Sequence, residues 1–259
     1  LMWLRKGPVI AALYPVGMLI LQLAVAALLG LWAGKLLAWA LTSGAQMIIG
    51  LFGGGDTSDL DFSILLFGQT VTQWALGAWV AWSVLRWFKK KDGKFFAHYL
   101  MHDYAYSAHY NGANPPQLED RMADFRATIS AAMDDDVDEV LVVGHSSGAH
   151  LAVSILSDLI REGGVVKDGP ALSFLSLGQV VPMVSFLPKA DRLRADLHYL
   201  STRDELTWVD VTAPGDGCAF ALCDPVAVSG VAPEGQKWPL VISAAFTQTL
   251  SPERWKELR

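Results

Sequence analysis

The chain has 259 residues, of which 52% are apolar and 18% are charged. Soluble domains average about 25% charged residues, so this composition argues against an ordinary soluble protein. The formal net charge of −6 gives no reason to expect a nucleic-acid partner. The two cysteines, Cys218 and Cys223, are too few for a disulfide framework and have no histidines near them. We therefore expect neither a metal site nor a cofactor.

Residues 1–91 are predicted to form an all-α transmembrane hairpin. The stretch Val9–Leu31 carries no charge, and about 20 apolar residues span a bilayer core. A second apolar stretch, Ile64–Phe88, is predicted to return across the membrane. The intervening apolar stretch Trp32–Phe52 either extends the first helix or lies in the membrane interface, and the pattern does not separate these alternatives.

The charges around the two spans predict their orientation. Basic residues flank the outer ends of the hairpin, and acidic residues occupy its connecting loop. The basic residues are Arg5, Lys6, Arg86, Lys89, Lys90, Lys91 and Lys94, and the acidic ones are Asp56, Asp59 and Asp61. By the positive-inside rule, both ends face the cytoplasm, and the lipid bilayer is the expected partner. Polar residues within the second span predict packing against another helix, which makes other membrane subunits a second candidate partner. These residues are Gln69, Thr70, Thr72 and Gln73.

Residues 92–259 alternate helix and strand patterns, which predicts an α/β domain with a parallel sheet and helices on both faces. Three continuous apolar runs are typical of buried parallel strands, namely Val140–Val143, Leu172–Leu177 and Leu206–Val211. Gln117–Met133 and residues 147–161 are predicted helices. The aromatic segment Phe95–His102 is predicted to be a strand, with a helix as the alternative, and Asp103–Pro116 a turn-rich loop.

The first of these strands leads into Gly144-His145-Ser146-Ser147-Gly148, a Gly-x-Ser-x-Gly motif followed by a helix. In this order the serine lies on a sharp strand-to-helix turn, and its hydroxyl stands clear of the sheet. Both glycines are expected to let the backbone pass close to itself. The backbone N–H of Ser147 and the start of the helix are then placed to stabilise an oxyanion.

This strand, turn and helix resemble the nucleophile elbow of the α/β-hydrolase superfamily. More narrowly, the chain is similar to membrane-anchored bacterial serine hydrolases with a Gly-His-Ser-Ser-Gly elbow. The resemblance extends over residues 95–225, and residues 144–148 are its specific part. It implies that Ser146 is the nucleophile of an esterase or lipase in the bacterial inner membrane, with the hydrolase domain on the cytoplasmic side. A site at the bilayer favours a lipid-derived ester, although a fold never fixes a substrate.

The resemblance also implies an acid after a later strand, followed by a histidine. Asp216, in the loop after Leu206–Val211, is the preferred acid, ahead of Asp210 and Asp224. The competing interpretation of each aspartate is a turn former or a solvated carboxylate. None of the six histidines follows Asp216; they are His98, His102, His109, His145, His150 and His198.

The early strand and oxyanion loop of the family also have no counterpart before residue 95. Ser251 and Pro252 are typical of the first turn of a helix. We therefore expect a sheet that is incomplete at both ends, with its histidine beyond Arg259. The alternative function is a catalytically inactive, hydrolase-like structural subunit of a membrane complex.

Overall fold

A computed structural model describes residues 6–52, 59–245, 248 and 250–257. The helices are α1 (Lys6–Phe52), α2 (Asp59–Lys90), α3 (Asp92–Phe95), α4 (Ala97–His109), α5 (Pro116–Met133), α6 (Ser147–Arg161), α7 (Val181–Ser185), α8 (Asp191–Leu200), α9 (Pro225–Val228) and α10 (Pro252–Glu257). The strands are β1 (Glu139–His145), β2 (Ala171–Leu177), β3 (Leu206–Thr212) and β4 (Leu240–Ser243). The chain divides into two compact units, Leu13–His102 and Asp103–Arg259 with Leu1–Ala12.

By length and composition, one described helix could cross a membrane, the Lys6–Ile48 part of α1. The first predicted span lies within it, and residues 32–52 extend this helix instead of forming a separate interfacial segment. The second predicted span lies within α2, which does not reach the same apolar character over its described residues. The two-span hairpin therefore stays a prediction. Arg5 and Asp56, two of the charges used for its orientation, lie outside the described residues.

Helices α1 and α2 pack against each other through small residues. Buried residues recur at every fourth position of α1, namely Ala26, Gly30, Gly34 and Ala38. A Cβ atom at Gly30 would lie only 2.6 Å from the carbonyl oxygen of Gly77, and one at Gly34 would collide with the carbonyl oxygen of Gln73. Stripes of small residues let helix backbones approach closely in membranes. Gln73, expected to face another helix, is half-buried beside this contact.

This close approach predicts different effects for two glycines of α1. Gly34→Leu should separate the helices and destabilise the hairpin by about 1–3 kcal/mol. Gly17→Leu makes the same chemical change where an added Cβ would meet no atom within 4 Å, so we expect little loss. The measurement is the unfolding midpoint of the detergent-solubilised chain in sodium dodecyl sulfate, followed by circular dichroism. Equal midpoints for the two variants would contradict this packing.

The aromatic segment Phe95–His102 is helical, so the predicted strand is wrong. Phe96, with φ 52°, separates α3 from α4. The Asp92 carboxylate accepts hydrogen bonds of 2.9 Å from the backbone N–H groups of His98 and Tyr99, which satisfies the start of α4. Helix α4 also continues to His109, so the turn-rich loop is shorter than predicted and lies between α4 and α5.

The second unit contains a four-stranded parallel sheet in the order β1-β2-β3-β4. Strands β1, β2 and β3 and helices α5 and α6 confirm the elements predicted in these positions. Helix α6 ends at Arg161, shortly before Gly163 and Gly164, and the N–H of Gly164 donates to Leu159 O at 2.9 Å. Strand β4 was not predicted, because it has only four residues and directly follows Pro239.

The described helices cover one face of this sheet. Side chains alternate between faces along a strand, and Phe174 and Trp208 lie fully buried on the face that contacts α6 and α8. On the opposite face Leu141 is 54% exposed and Val143 is 51% exposed, and Ile242 is also exposed. Helices on both faces were predicted, and for the described residues this is wrong. The apolar strands suit burial on both sides, but the second helical layer is not formed by these residues.

Candidate functional site

The Gly-x-Ser-x-Gly motif forms a strained turn between β1 and α6. Ser146 adopts φ 54° and ψ −120°, and its backbone N–H donates to Leu177 O at 3.0 Å. Positive φ is uncommon for a residue other than glycine, because the Cβ atom clashes with the backbone. Such strain persists only where the surrounding structure enforces it, and it concentrates at functional sites. Here β2 and α6 enforce it from either side.

The two glycines of the motif differ in how tightly they are packed. A Cβ atom at buried Gly144 would lie 2.9 Å from Ala149 Cα and 2.9 Å from Gly148 O. This contact confirms that the chain passes close to itself at Gly144. At Gly148 an added Cβ would meet nothing within 4 Å beyond its own helix backbone. The same expectation for Gly148 is therefore wrong among the described residues.

The two serines of the motif have different hydrogen bonds. The Ser147 hydroxyl donates to Asp103 Oδ2 at 3.0 Å, which occupies its proton. In the described part of the chain, the Ser146 hydroxyl has no hydrogen-bond partner. Ser147 is the first residue of α6, and the first N–H groups of a helix have no acceptor within it. The motif therefore combines an uncommitted hydroxyl with an adjacent, available backbone donor.

Asp216 lies in the loop after β3, where the sequence placed it. Its Oδ1 atom accepts hydrogen bonds from the backbone N–H groups of Cys218 at 2.8 Å and Ala219 at 3.3 Å. Its other oxygen faces Gly178, where a Cβ atom would lie 3.4 Å from Asp216 Oδ2 and 4.0 Å from His145 Nε2. One oxygen therefore shapes the turn, while the other points toward the ends of the strands.

A cavity of about 770 Å³ opens at the carboxyl ends of β1, β2 and β3. Apart from His145 and Asp216 its lining is mainly apolar, including Leu177, Val211 and the Trp255 of α10. In open parallel sheets, ligands bind beyond the carboxyl ends of the strands. The volume is in the usual range for a small-molecule site, and the apolar walls suit an acyl chain or a similar group.

The other two candidate acids have structural roles. Asp210 is buried on the covered face of the sheet, and its Oδ1 accepts a 2.6 Å hydrogen bond from the Ser176 hydroxyl. That hydroxyl in turn accepts from Trp208 Nε1 at 2.9 Å. Asp224 precedes α9 and accepts from the backbone N–H of Val226 at 2.8 Å. Both carboxylates are therefore engaged in the fold rather than turned toward the cavity.

Burial raises the pKa of Asp210 from 3.8 to about 6. The folded state then binds this proton more tightly than the unfolded state, so the stability that Asp210 contributes is fully present below pH 4 and is lost as the pH rises through 6. At pH 7.5 the buried charge of Asp210 costs about 3 kcal/mol relative to the unfolded state. Asp210→Asn, which mimics the protonated acid, should recover this free energy of unfolding at pH 7.5 and change it little at pH 4. Urea unfolding of both proteins at both pH values measures the difference. A variant that is less stable than wild type at pH 7.5 would contradict the prediction.

The histidines do not complete a triad within the described residues, because none hydrogen-bonds to Asp216. His198 Nδ1 pairs with Val231 O at 2.9 Å. His150 borders a small cavity of about 70 Å³ together with Asp103 and Ser147. Burial lowers the pKa of His150 to about 4, so its ring is neutral at pH 7. His145 lines the larger cavity beside Asp216.

Comparison of the chain with family models, with curated proteins and with solved structures gives no match in any of the three.

Proposed function

We propose that this protein is a membrane-anchored serine hydrolase that cleaves an acyl ester, with Ser146 as the nucleophile. The observation that carries the proposal is the backbone of Ser146, held at φ 54° and ψ −120° between a parallel strand and a helix. A turn of this kind presents a serine hydroxyl above the sheet, as the α/β-hydrolase superfamily requires.

The proposed reaction begins when Ser146 Oγ attacks the acyl carbonyl and its proton passes to an imidazole. The carbonyl oxygen gains negative charge, which the N–H of Ser147 and the positive end of the α6 dipole would stabilise. The 770 Å³ cavity next to the motif has room for the acyl group.

Asp216 would orient the imidazole through Oδ2, because its Oδ1 is already held by two backbone donors. The described histidines do not supply this imidazole, because none hydrogen-bonds to Asp216. Among the described residues β1 pairs on one side only, with β2, and the apolar side chains of Leu141 and Val143 are exposed. This sheet edge and face are therefore open to a further packed element.

The membrane part of the proposal places both α1 and α2 in the inner membrane of a bacterium, with the hydrolase domain on the cytoplasmic side. It is supported by the apolar length of α1 and by the contact of Gly30 with Gly77. Because α2 packs against the middle of α1 at this contact, the two helices would share the same depth in the bilayer. Hydrolysis at this surface favours a lipid-derived ester.

Asp216→Asn tests the acid. In the full-length membrane protein we expect kcat/KM for a p-nitrophenyl ester to fall by about 10²–10⁴-fold, because asparagine does not stabilise a charged imidazole. Asp224→Asn is the matched control, since its Oδ1 can still accept from Val226 N. We expect this control to retain wild-type activity. Equal activities of the Asp216 variant and the wild type would remove Asp216 from the mechanism.

A second candidate function is an inactive structural subunit. It is favoured by one observation, that no described histidine hydrogen-bonds to Asp216. The same ester assay separates the two, because the structural subunit would show no hydrolysis above the rate of the Ser146→Ala variant.

A further inference from the structure

A dense group of positive charges follows the tryptophan-rich half of α2. Arg86, Lys89, Lys90, Lys91 and Lys94 provide five cations within nine residues, although the whole chain carries a net charge of −6. All five side chains are exposed. We call these five residues the basic cluster.

The basic cluster is not neutralised within the part of the chain that the structure describes, where none of its members forms an ion pair. The one acid inside the segment is Asp92, and its carboxylate is committed to the backbone N–H groups of His98 and Tyr99. Burial acts to raise the pKa of Asp92, but these hydrogen bonds together outweigh it and lower the pKa, so the carboxylate stays ionised as a helix cap. The cluster therefore has positive charge available for an external anion.

An open, shallow groove lies along this end of α2, and its lining, which includes Arg86, Lys89 and Lys90 together with Trp82 and Trp87, comes from this one helix. The Arg86 guanidinium stacks on Trp82, 4.5 Å from the ring centroid. Tryptophan prefers the boundary between acyl chains and headgroups, with its ring in the apolar layer and its N–H toward water. A groove of this composition offers cations for a phosphate and aromatic surface for the glycerol and upper acyl region.

Aromatic contacts fix the segment that carries the cations. The Phe88 ring packs on Trp87 and on Phe95 of α3, with ring centroids 5.1 Å and 5.5 Å away. Because these contacts hold α3 against the end of α2, the basic cluster belongs to an ordered surface. Less side-chain and backbone freedom then has to be lost when a ligand binds.

We propose that this groove binds the phosphate of an anionic phospholipid, with Arg86, Lys89 and Lys90 as its ligands. The proposal rests on the membrane insertion assigned to α1 and α2 under the proposed function, and it is independent of hydrolysis at Ser146. Each Lys or Arg near an anionic membrane surface changes affinity by about fivefold, so three should change lipid affinity by about a hundredfold.

Native mass spectrometry of the full chain in a non-ionic detergent tests this site. The protein is mixed with equal amounts of phosphatidylglycerol and phosphatidylcholine, and the lipid-bound fractions are compared. We expect the wild type to retain phosphatidylglycerol preferentially and Arg86→Gln/Lys89→Gln/Lys90→Gln to lose about a hundredfold in affinity. The control Lys167→Gln/Lys189→Gln/Lys256→Gln removes the same charge from exposed positions elsewhere and should behave as wild type.

Equal retention of the two lipids by the wild type, or equal losses in both triple variants, would overturn the proposal. Displacement of phosphatidylglycerol by millimolar inorganic phosphate would also overturn it, since the groove would then recognise a free anion. Alkaline carbonate extraction of membranes checks insertion separately, and the ester assay checks hydrolysis. Failure of the lipid site is thereby distinguished from failure of the proposed function.

Discussion

Ser146→Ala is expected to reduce kcat/KM for ester hydrolysis by about 10⁴–10⁶-fold without unfolding the protein. The reason is that no other group can form the acyl-enzyme at this turn. The neighbouring Ser147 hydroxyl donates its proton to Asp103 and follows the strained position instead of occupying it. The measurement is steady-state hydrolysis of p-nitrophenyl esters of increasing chain length by the full-length protein.

Ser147→Ala is the matched control for this prediction. It removes one hydroxyl from the adjacent residue and keeps the backbone N–H that would stabilise the oxyanion. We expect its rate to stay within about tenfold of wild type, because the lost hydrogen bond joins Ser147 to Asp103 and only helps to hold the turn in place. A single hydrogen bond to a charged group contributes about 1.5–3 kcal/mol. The reverse result, an inactive Ser147→Ala with an active Ser146→Ala, would reassign the nucleophile.

Gly144→Ala is expected to destabilise the α/β unit by about 2–4 kcal/mol and to abolish the proposed activity. The added Cβ would lie 2.9 Å from Ala149 Cα and from Gly148 O, and both are backbone atoms that move only with the turn. Relief of this contact must shift β1 against α6, which displaces Ser146. Thermal unfolding and the ester assay on the same preparation measure the two effects.

Gly148→Ala is the control for Gly144→Ala. It adds the same methyl group where nothing outside the helix backbone lies within 4 Å. Alanine is also favoured over glycine in a helix by about 1 kcal/mol, so we expect stability to be equal or slightly higher. If both variants lost the same stability, the close approach at Gly144 would not be what holds the turn.

The elements that could be predicted from the sequence have strong local signals. Strand β1 is a continuous apolar run, and α6 begins after the serine motif and ends at a glycine pair, so both their type and position follow from a few adjacent residues. The strand predicted for Phe95–His102 was wrong. Its aromatic content favours a strand, but the helix found there is capped by Asp92, which lies outside the segment. Strand β4 has too few residues for a periodic pattern, and it is a strand because it pairs with β3.

The candidate site shows the same division. The position of Ser146 on a strand-to-helix turn was predictable from the motif, and that of Asp216 in a loop from the apolar strand before it. Their catalytic roles stay predictions. Asp103 was not, because its contact with Ser147 joins residues far apart in sequence and leaves no local pattern. Gly178 is similar: its φ of +54° and its position beside Asp216 depend on how β2 and β3 end together. The Asp103–Ser147 contact and the conformation of Gly178 depend on tertiary contacts, which cannot be recognised in a single sequence.

The most direct test of the central claim is the site of covalent modification by a fluorophosphonate. The full-length protein is treated with the probe in native membranes, and the modified residue is identified by tandem mass spectrometry of the peptide containing the motif. The proposed function predicts a single adduct on Ser146 that is absent from Ser146→Ala and present in Ser147→Ala. An unmodified protein, or an adduct on a residue other than Ser146, would contradict it.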